Sequence, residues 1–266
     1  MNATSRRETA LITGASSGIG ASLARCFAEG GFDLVLVARS TDKLQALAQE
    51  LVAQYGGKVL VETCDLSMAD NAGKLAARLK KRKCQIDILV NNAGVLEQGR
   101  FTDIDPVRQL GMIELNVLGL TAMLNLFLPP MLERGYGKIL NVASIAAFQP
   151  IPGLATYAAT KAYVLSLTES LAEELKDRGV TVTALCPGVT ATNMMSHAQS
   201  SNERLQLPEF MVGEADQVAR EGYQACIAGE VIRVPGALNL ATTLMARATP
   251  KWLVRRISGA LGRMIV

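Results

Sequence analysis

Thr9-Ala10-Leu11-Ile12-Thr13-Gly14-Ala15-Ser16-Ser17-Gly18-Ile19-Gly20 joins a short apolar run to three glycines, and a helical pattern through Arg25 and Phe27 follows at once. Glycine lets the backbone turn sharply and approach a pyrophosphate, whose charge the N-terminus of the next helix then meets. The spacing is G-x-x-x-G-x-G, which departs from the G-x-G-x-x-G fingerprint, so by itself the segment also reads as a glycine-rich turn with no ligand. Its place between a first strand and a first helix favours the ligand. Gly14, Ser16, Ser17, Gly18, Ile19 and Gly20 are therefore the expected phosphate-binding loop.

Downstream, residues 34–38, 59–63, 88–90, 139–142, 180–185 and 231–234 repeat the short apolar, β-branched pattern, with helical segments between them. Their hydrophobicity is continuous where a half-exposed strand would alternate, so both faces of each strand are covered. The pattern predicts an α/β fold, a doubly wound parallel sheet of the Rossmann type, with ligands at the carboxyl ends of the strands. Residues 1–236 form the expected dinucleotide-binding and catalytic domain. A basic amphipathic extension, residues 237–266, follows Pro235-Gly236.

At 266 residues, 49% hydrophobic and 19% charged, the chain suffices for one large core. Cys26, Cys64, Cys84, Cys186 and Cys226 are odd in number and lack C-x-x-C spacing, which speaks against a disulfide framework or thiolate metal site and for a reducing, cytoplasmic compartment. His197 is the sole histidine, so no metal site is expected and a Ser-His-Asp hydrolase would have to be built on that residue. The most apolar stretch, residues 119–132, is interrupted by Asn125 and Pro129-Pro130 and reads as a buried helix. Arg6 and Arg7 precede an apolar run that enters the glycine loop without a cleavage site, so a signal peptide is not expected. The net charge of +3 divides into +6 from Val231 onward and −3 before it, which gives no support to a nucleic-acid surface.

The second strand ends in Ala38-Arg39-Ser40, where dinucleotide folds place an acid for the ribose hydroxyls of NAD or a cation for the 2′-phosphate of NADP. Arg39 supplies the cation, so NADP(H) is the expected cofactor. Asp65, after the third strand, can accept from an adenine amino group. Asn92, Ala93 and Gly94, after the fourth, combine turn chemistry with a close backbone approach.

Tyr157 and Lys161 lie four residues apart at the head of a helical pattern running to Leu175, so both project from one helix face. A phenol titrates near pH 10, and about 4 kcal/mol of preferential stabilisation of the phenolate is needed to bring it near neutrality. Lys161 and the positive charge of an oxidised nicotinamide are the expected sources. Ser144, after the strand at 139–142, places a hydroxyl at the carboxyl edge of the sheet. The Y-x-x-x-K pattern alone is common by chance. Its combination with Ser144, the glycine loop and Asn91-Asn92-Ala93-Gly94 is not.

Through Thr13–Gly20, Asn91–Gly94, Asn116, Ser144, Tyr157, Lys161 and Pro187-Gly188, the chain resembles the short-chain dehydrogenase/reductase family over residues 8–236. The resemblance implies that Tyr157 exchanges a proton with the substrate oxygen and that Ser144 orients that oxygen. It also implies that Lys161 binds the nicotinamide ribose and lowers the Tyr157 pKa, and that Asn116 organises a proton-relay water. Pro187, Gly188 and Thr190 would lie along the nicotinamide. A homodimer or homotetramer would form through the helices leading to Leu128 and starting near Tyr157.

Ile145, Phe148, Ile151, Leu154, Met194 and Met195 flank the expected cleft, which suits a ketone or secondary alcohol on a hydrophobic body. The alternatives are a 3-oxoacyl-thioester reductase and a catalytically idle NADP-binding regulator. In the tail, Leu253, Ile257, Ala260, Leu261 and Met264 form an apolar helical stripe with Lys251, Arg255, Arg256 and Arg263 away from it. The stripe suits either peripheral contact with an anionic membrane or packing on protein.

Overall fold

The computed structural model describes residues 6–188, 214–250, 252–253 and 255–256. β1 (Thr9–Thr13), β2 (Asp33–Ala38), β3 (Val59–Thr63), β4 (Ile88–Asn91), β5 (Gly137–Val142), β6 (Val180–Leu185) and β7 (Ile232–Arg233) form one sheet in the order β3-β2-β1-β4-β5-β6-β7. All the pairings are parallel, as the run of doubly covered strands predicts. The ends differ from the sequence reading because pairing extends them: Asp33 lies opposite Thr9, Asn91 opposite Asn141 and Gly137 opposite Val180. β7 shrinks to two residues because it pairs on one side only, with Ala184 and Leu185.

Successive strand residues point to opposite faces. Ala10, Ile12, Leu34 and Leu36 pack with α1 (Gly18–Glu29), α2 (Thr41–Tyr55) and α7 (Ala215–Ala228). Leu11, Val35, Leu89 and Ile139 face α3 (Asn71–Lys81), α5 (Leu120–Arg134) and α6 (Ala155–Glu174). Phe27 is fully buried and meets Phe32 and Tyr223 edge-on, with centroids 5.5 and 5.0 Å away. Its truncation to alanine would cost roughly 3–5 kcal/mol.

α4 (Pro106–Ile113) begins with Asp105 capping Val107 N at 2.9 Å and passes through a π-helical turn, Glu114–Gly119, into α5. At that turn Gly119 crosses the loop after β3 so closely that a Cβ would lie 2.6 Å from the Leu66 carbonyl oxygen. The combined run Pro106–Arg134 is long and apolar enough, by length and composition, to cross a membrane. Met112, Leu120, Met123, Leu124, Phe127 and Met131 are nonetheless buried within this fold, as the reading of residues 119–132 as a buried helix expects. Pro129 and Pro130 do not end α5. Both lie on its exposed side, where water can satisfy the carbonyls left without a helical donor.

Two peripheral elements frame the sheet. At the amino end, buried Asp87 accepts from Arg6 (2.8 Å), Thr9 N (2.8 Å) and Gln85 (2.9 Å), tying the chain start to the base of β1 and β4. At the carboxyl edge, α8 (Ala237–Ala248) packs along the 3-10 turn Ile145–Phe148.

Candidate active site

Strand order reverses between β1 and β4, and there the carboxyl ends open into a cavity of about 420 Å³. This is the crevice the doubly wound topology creates. Gly14, Ser16, Ser17, Gly18, Ile19 and Gly20 line one wall. Gly14 has φ +66°, and a Cβ there would lie 2.7 Å from Asn92 Nδ2 and 2.9 Å from Ala93 Cα, so glycine is what lets the two loops cross. Ser17 precedes α1 without capping it through its side chain, and no acidic residue lies in the first turn. The helix N-terminus at this wall is thus left to an external anion.

Arg39, Ser40 and Asp65 line the far end of the cavity. Arg39 is exposed and has no ion-pair partner among the described residues. Asp65 folds onto its own loop, its Oδ1 accepting from Ser67 N at 3.0 Å and Ser67 Oγ at 2.7 Å. Asn92, Ala93 and Gly94 line the middle, held by a contact that sequence reasoning missed: the Thr13 hydroxyl accepts from Asn92 N and Ala93 N. A threonine ending the strand before the glycine loop was the available signal.

Ser144 sits at the head of the 3-10 turn, just past β5, accepting from Ala146 N at 3.1 Å and donating to the Pro187 carbonyl at 3.4 Å. Tyr157 and Lys161 lie on the first turns of α6, and both line the cavity although both are almost fully buried. Lys161 Nζ lies 5.8 Å from the Tyr157 ring centroid and donates to the Val142 carbonyl at 2.8 Å. Burial holds the Lys161 ammonium down, at about 8, with nearby Cys186 acting the other way. Burial also pushes the Tyr157 phenol above its ordinary value, with the Ser144 hydroxyl pulling it down. Desolvation of the phenolate is the larger of these two influences.

Asn116 does not line the cavity. It lies in the π-helical turn behind Gly94, with Oδ1 accepting from Val95 N at 2.9 Å and Nδ2 donating to the Val95 carbonyl at 3.0 Å and to Thr160 Oγ1 at 3.2 Å. A Cβ on Gly94 would stand 3.1 Å from Asn116 Oδ1 and 3.5 Å from Lys161 Nζ, so both side chains approach this glycine. Pro187 and Gly188 complete the lining. Thr190, Met194, Met195, His197, Ile257, Ala260, Leu261, Met264, Lys251 and Arg263 lie outside the described residues.

Beyond Ser144 and Tyr157 the wall turns apolar, with Ile145, Ala146, Ile151, Pro152 and Leu154 from one loop and Val95, Leu96 and Leu115 from the facing side. Gln98 is the polar side chain among them. The first group was expected from its closeness to Tyr157 in sequence; Phe148, expected with it, packs instead beside the core. The facing group is distant in sequence and was missed.

A parallel sheet with a glycine-walled crevice, an uncapped helix N-terminus and a serine–tyrosine–lysine set beside an apolar wall defines the class of dinucleotide-dependent oxidoreductases. The chain belongs to the short chain dehydrogenase family, whose profile matches residues 8–203. It is 31% identical over 239 residues to the 3-oxoacyl-[acyl-carrier-protein] reductase of Synechocystis sp., covering 87% of this chain and 96% of that protein. Among solved structures it is similar to a short-chain dehydrogenase from Sphingobium yanoikuyae in complex with NADPH (TM-score 0.80, 34% identity, 91% of this chain and 94% of that one). It is also similar to the bulky-bulky ketone specific alcohol dehydrogenase from Comamonas testosteroni (TM-score 0.77, 31% identity, 91% and 92%).

Proposed function

We propose that the protein is an NADP(H)-dependent oxidoreductase that interconverts a ketone or aldehyde with its alcohol on a bulky hydrophobic body, with Tyr157 as general acid and base. The observation that carries this reading is the convergence of Ser144, Tyr157 and Lys161 on one end of a cavity whose adjoining wall is apolar. Arg39 at the other end and the NADPH bound by the Sphingobium relative support the phosphorylated cofactor. The printed specificity of the Comamonas enzyme supports a bulky ketone.

The donor set suits such a cofactor. The glycine loop and the α1 N-terminus would hold its pyrophosphate, Arg39 its 2′-phosphate and Asp65 its adenine amino group. Asn92, Ala93 and Gly94 would flank the ribose, and Pro187, Gly188 and Thr190 the nicotinamide. When bound, the reduced nicotinamide supplies a hydride. Ser144 donates a hydrogen bond to the substrate oxygen and orients it. Tyr157 gives its phenolic proton to that oxygen as negative charge develops there. Lys161, anchored on the Val142 carbonyl, keeps a cation beside the phenolate left behind. Asn116 organises the water through which the proton is replaced.

Residues 1–236 are inferred to form the catalytic unit, with 237–266 as an extension, in a cytoplasmic protein whose cysteines are free thiols. Val107, Leu110 and Leu118 on the α4–α5 run and Tyr163 on α6 are exposed, and Thr121 and Tyr163 hydroxyls meet at 2.9 Å. This face is the inferred subunit contact of a homodimer or homotetramer. A 3-oxoacyl-thioester reductase is the second reading, favoured by the Synechocystis relative.

Following NADPH oxidation across bulky ketones, aldehydes and 3-oxoacyl thioesters, with Tyr157→Phe as blank, tests both. The first reading expects turnover of the free ketones and the second of the thioesters alone. NADPH binding without turnover of any of them would point to an idle regulator.

A further inference from the structure

α8 has two faces. Inward, Asn239 packs on the nicotinamide-side loop so tightly that a Cβ on Gly188 would lie 2.7 Å from its Oδ1, and Asn239 Nδ2 donates to the Pro235 carbonyl at 2.9 Å. Thr243 is buried on the same side. Outward, Leu238, Leu240, Leu244 and Met245 are 57%, 44%, 56% and 70% exposed. At 3.6 residues per turn these four fall, with Ala241, in one contiguous arc. Trp252 is exposed just beyond, with the Arg256 guanidinium 5.9 Å from its ring centroid, and Arg255 and Arg256 are exposed. From Val231 to Val266 the sequence carries six basic residues and no acidic one.

We propose that this outer face of α8, with Trp252, Arg255 and Arg256, docks the enzyme on an anionic lipid surface. An exposed apolar helix arc followed in the chain by an exposed tryptophan and two exposed arginines has the composition of an interfacial anchor: the apolar arc enters the acyl boundary and the cations meet lipid phosphates. The charge argues against a second copy as the occupant, because a two-fold interface sets a patch against itself and would oppose the basic residues of this segment, which carries no acid of its own. The inner face explains why docking would matter. α8 rests on Gly188 and on the Ile145–Phe148 turn, both at the substrate end of the cavity. Docking therefore brings the cavity close to the bilayer, which extends the proposed substrate class to carbonyl compounds that partition into membranes. That extension rests on the function proposed above; the docking does not.

The test is sedimentation of the full-length protein with phosphatidylcholine vesicles, with and without phosphatidylglycerol. Pelleting is expected only with the anionic lipid. Arg255→Gln/Arg256→Gln should weaken it by about tenfold or more, and Leu244→Glu/Met245→Glu should abolish it. Both variants should keep the wild-type turnover of a water-soluble carbonyl and the wild-type mass in solution. Absence of pelleting, equal pelleting with neutral vesicles, or pelleting unchanged in both variants would overturn the proposal. A fall in oligomer mass for Leu244→Glu/Met245→Glu would overturn it in favour of a second copy. Because vesicle binding is read without turnover, failure of the enzymatic reading leaves this result standing.

Discussion

Thr13 and Asn92 hold each other in both directions. The Thr13 hydroxyl accepts from Asn92 N at 2.9 Å, while the Asn92 side chain donates back to the Thr13 carbonyl at 2.9 Å. The same hydroxyl accepts from Ala93 N at 3.0 Å and donates to the Val90 carbonyl at 3.1 Å. The glycine loop after β1 and the turn after β4 are thereby one mechanical unit, and disturbing either end displaces both.

Thr13→Val keeps the shape of the side chain and removes its hydroxyl. Two backbone N–H groups and a carbonyl then lose their partner, at a cost of about 1–3 kcal/mol. NADPH affinity should fall several-fold as well, since the loop loses its brace. Urea unfolding and a fluorescence titration with NADPH read the two effects, and a variant matching wild type in both would remove the brace from the account.

Tyr157→Phe deletes the transferable proton and leaves the phosphate-binding wall untouched. Turnover is expected to fall by about 10²-fold or more, with NADPH affinity within a few-fold of wild type. Retained turnover in the purified variant would contradict the assignment of the general acid.

Arg39 lies exposed at the cavity end without an ion-pair partner among the described residues. A charge-assisted contact to a 2′-phosphate is worth about 1.5–3 kcal/mol, so wild type should prefer NADPH to NADH by roughly tenfold or more. Arg39→Ala should erase most of that preference by weakening NADPH binding alone. Measured affinities for the two cofactors decide it; an NADH-preferring wild type would mean the end of β2 is misread.

Burial tends to raise the Asp87 carboxyl, but the hydrogen bonds from Arg6, Thr9 N and Gln85, together with the Arg6 charge, outweigh it and hold the group below its ordinary value. Folding therefore favours the ionised form. The stability it contributes is present above the unfolded value near 3.9 and is lost as pH falls through the lower folded value. Asp87→Asn should lower Tm at pH 7 by about 2–4 °C, and the gap should close below about pH 4. Thermal melts across that range check both, and a gap independent of pH would assign the effect to packing.

Much of this protein is legible in the chain because its signals are local. The strands announce themselves through continuous apolar runs, the glycine loop through its place at a strand–helix junction, and the Tyr157–Lys161 pair through helical periodicity. Each depends on backbone geometry within a few residues. Asn116 was placed by family resemblance; only the fold reveals that it sits behind Gly94, in a π-helical turn whose register no simple periodicity predicts.

By itself, then, the sequence determined the doubly wound sheet, the glycine loop, the cation at the end of β2 and the tyrosine–lysine spacing, all consequences of short-range sterics and pattern. Tertiary structure alone decided that Val95, Leu96 and Leu115 line the same cavity as Ile151 and Leu154, since those segments meet only when β4, α6 and the π-helical turn converge. It also decided the electrostatics: the Tyr157 phenol stands above its ordinary value although a lysine lies one helical turn away. Desolvation is set by everything that packs around a group, and that surrounding comes from strands and helices far apart in the chain.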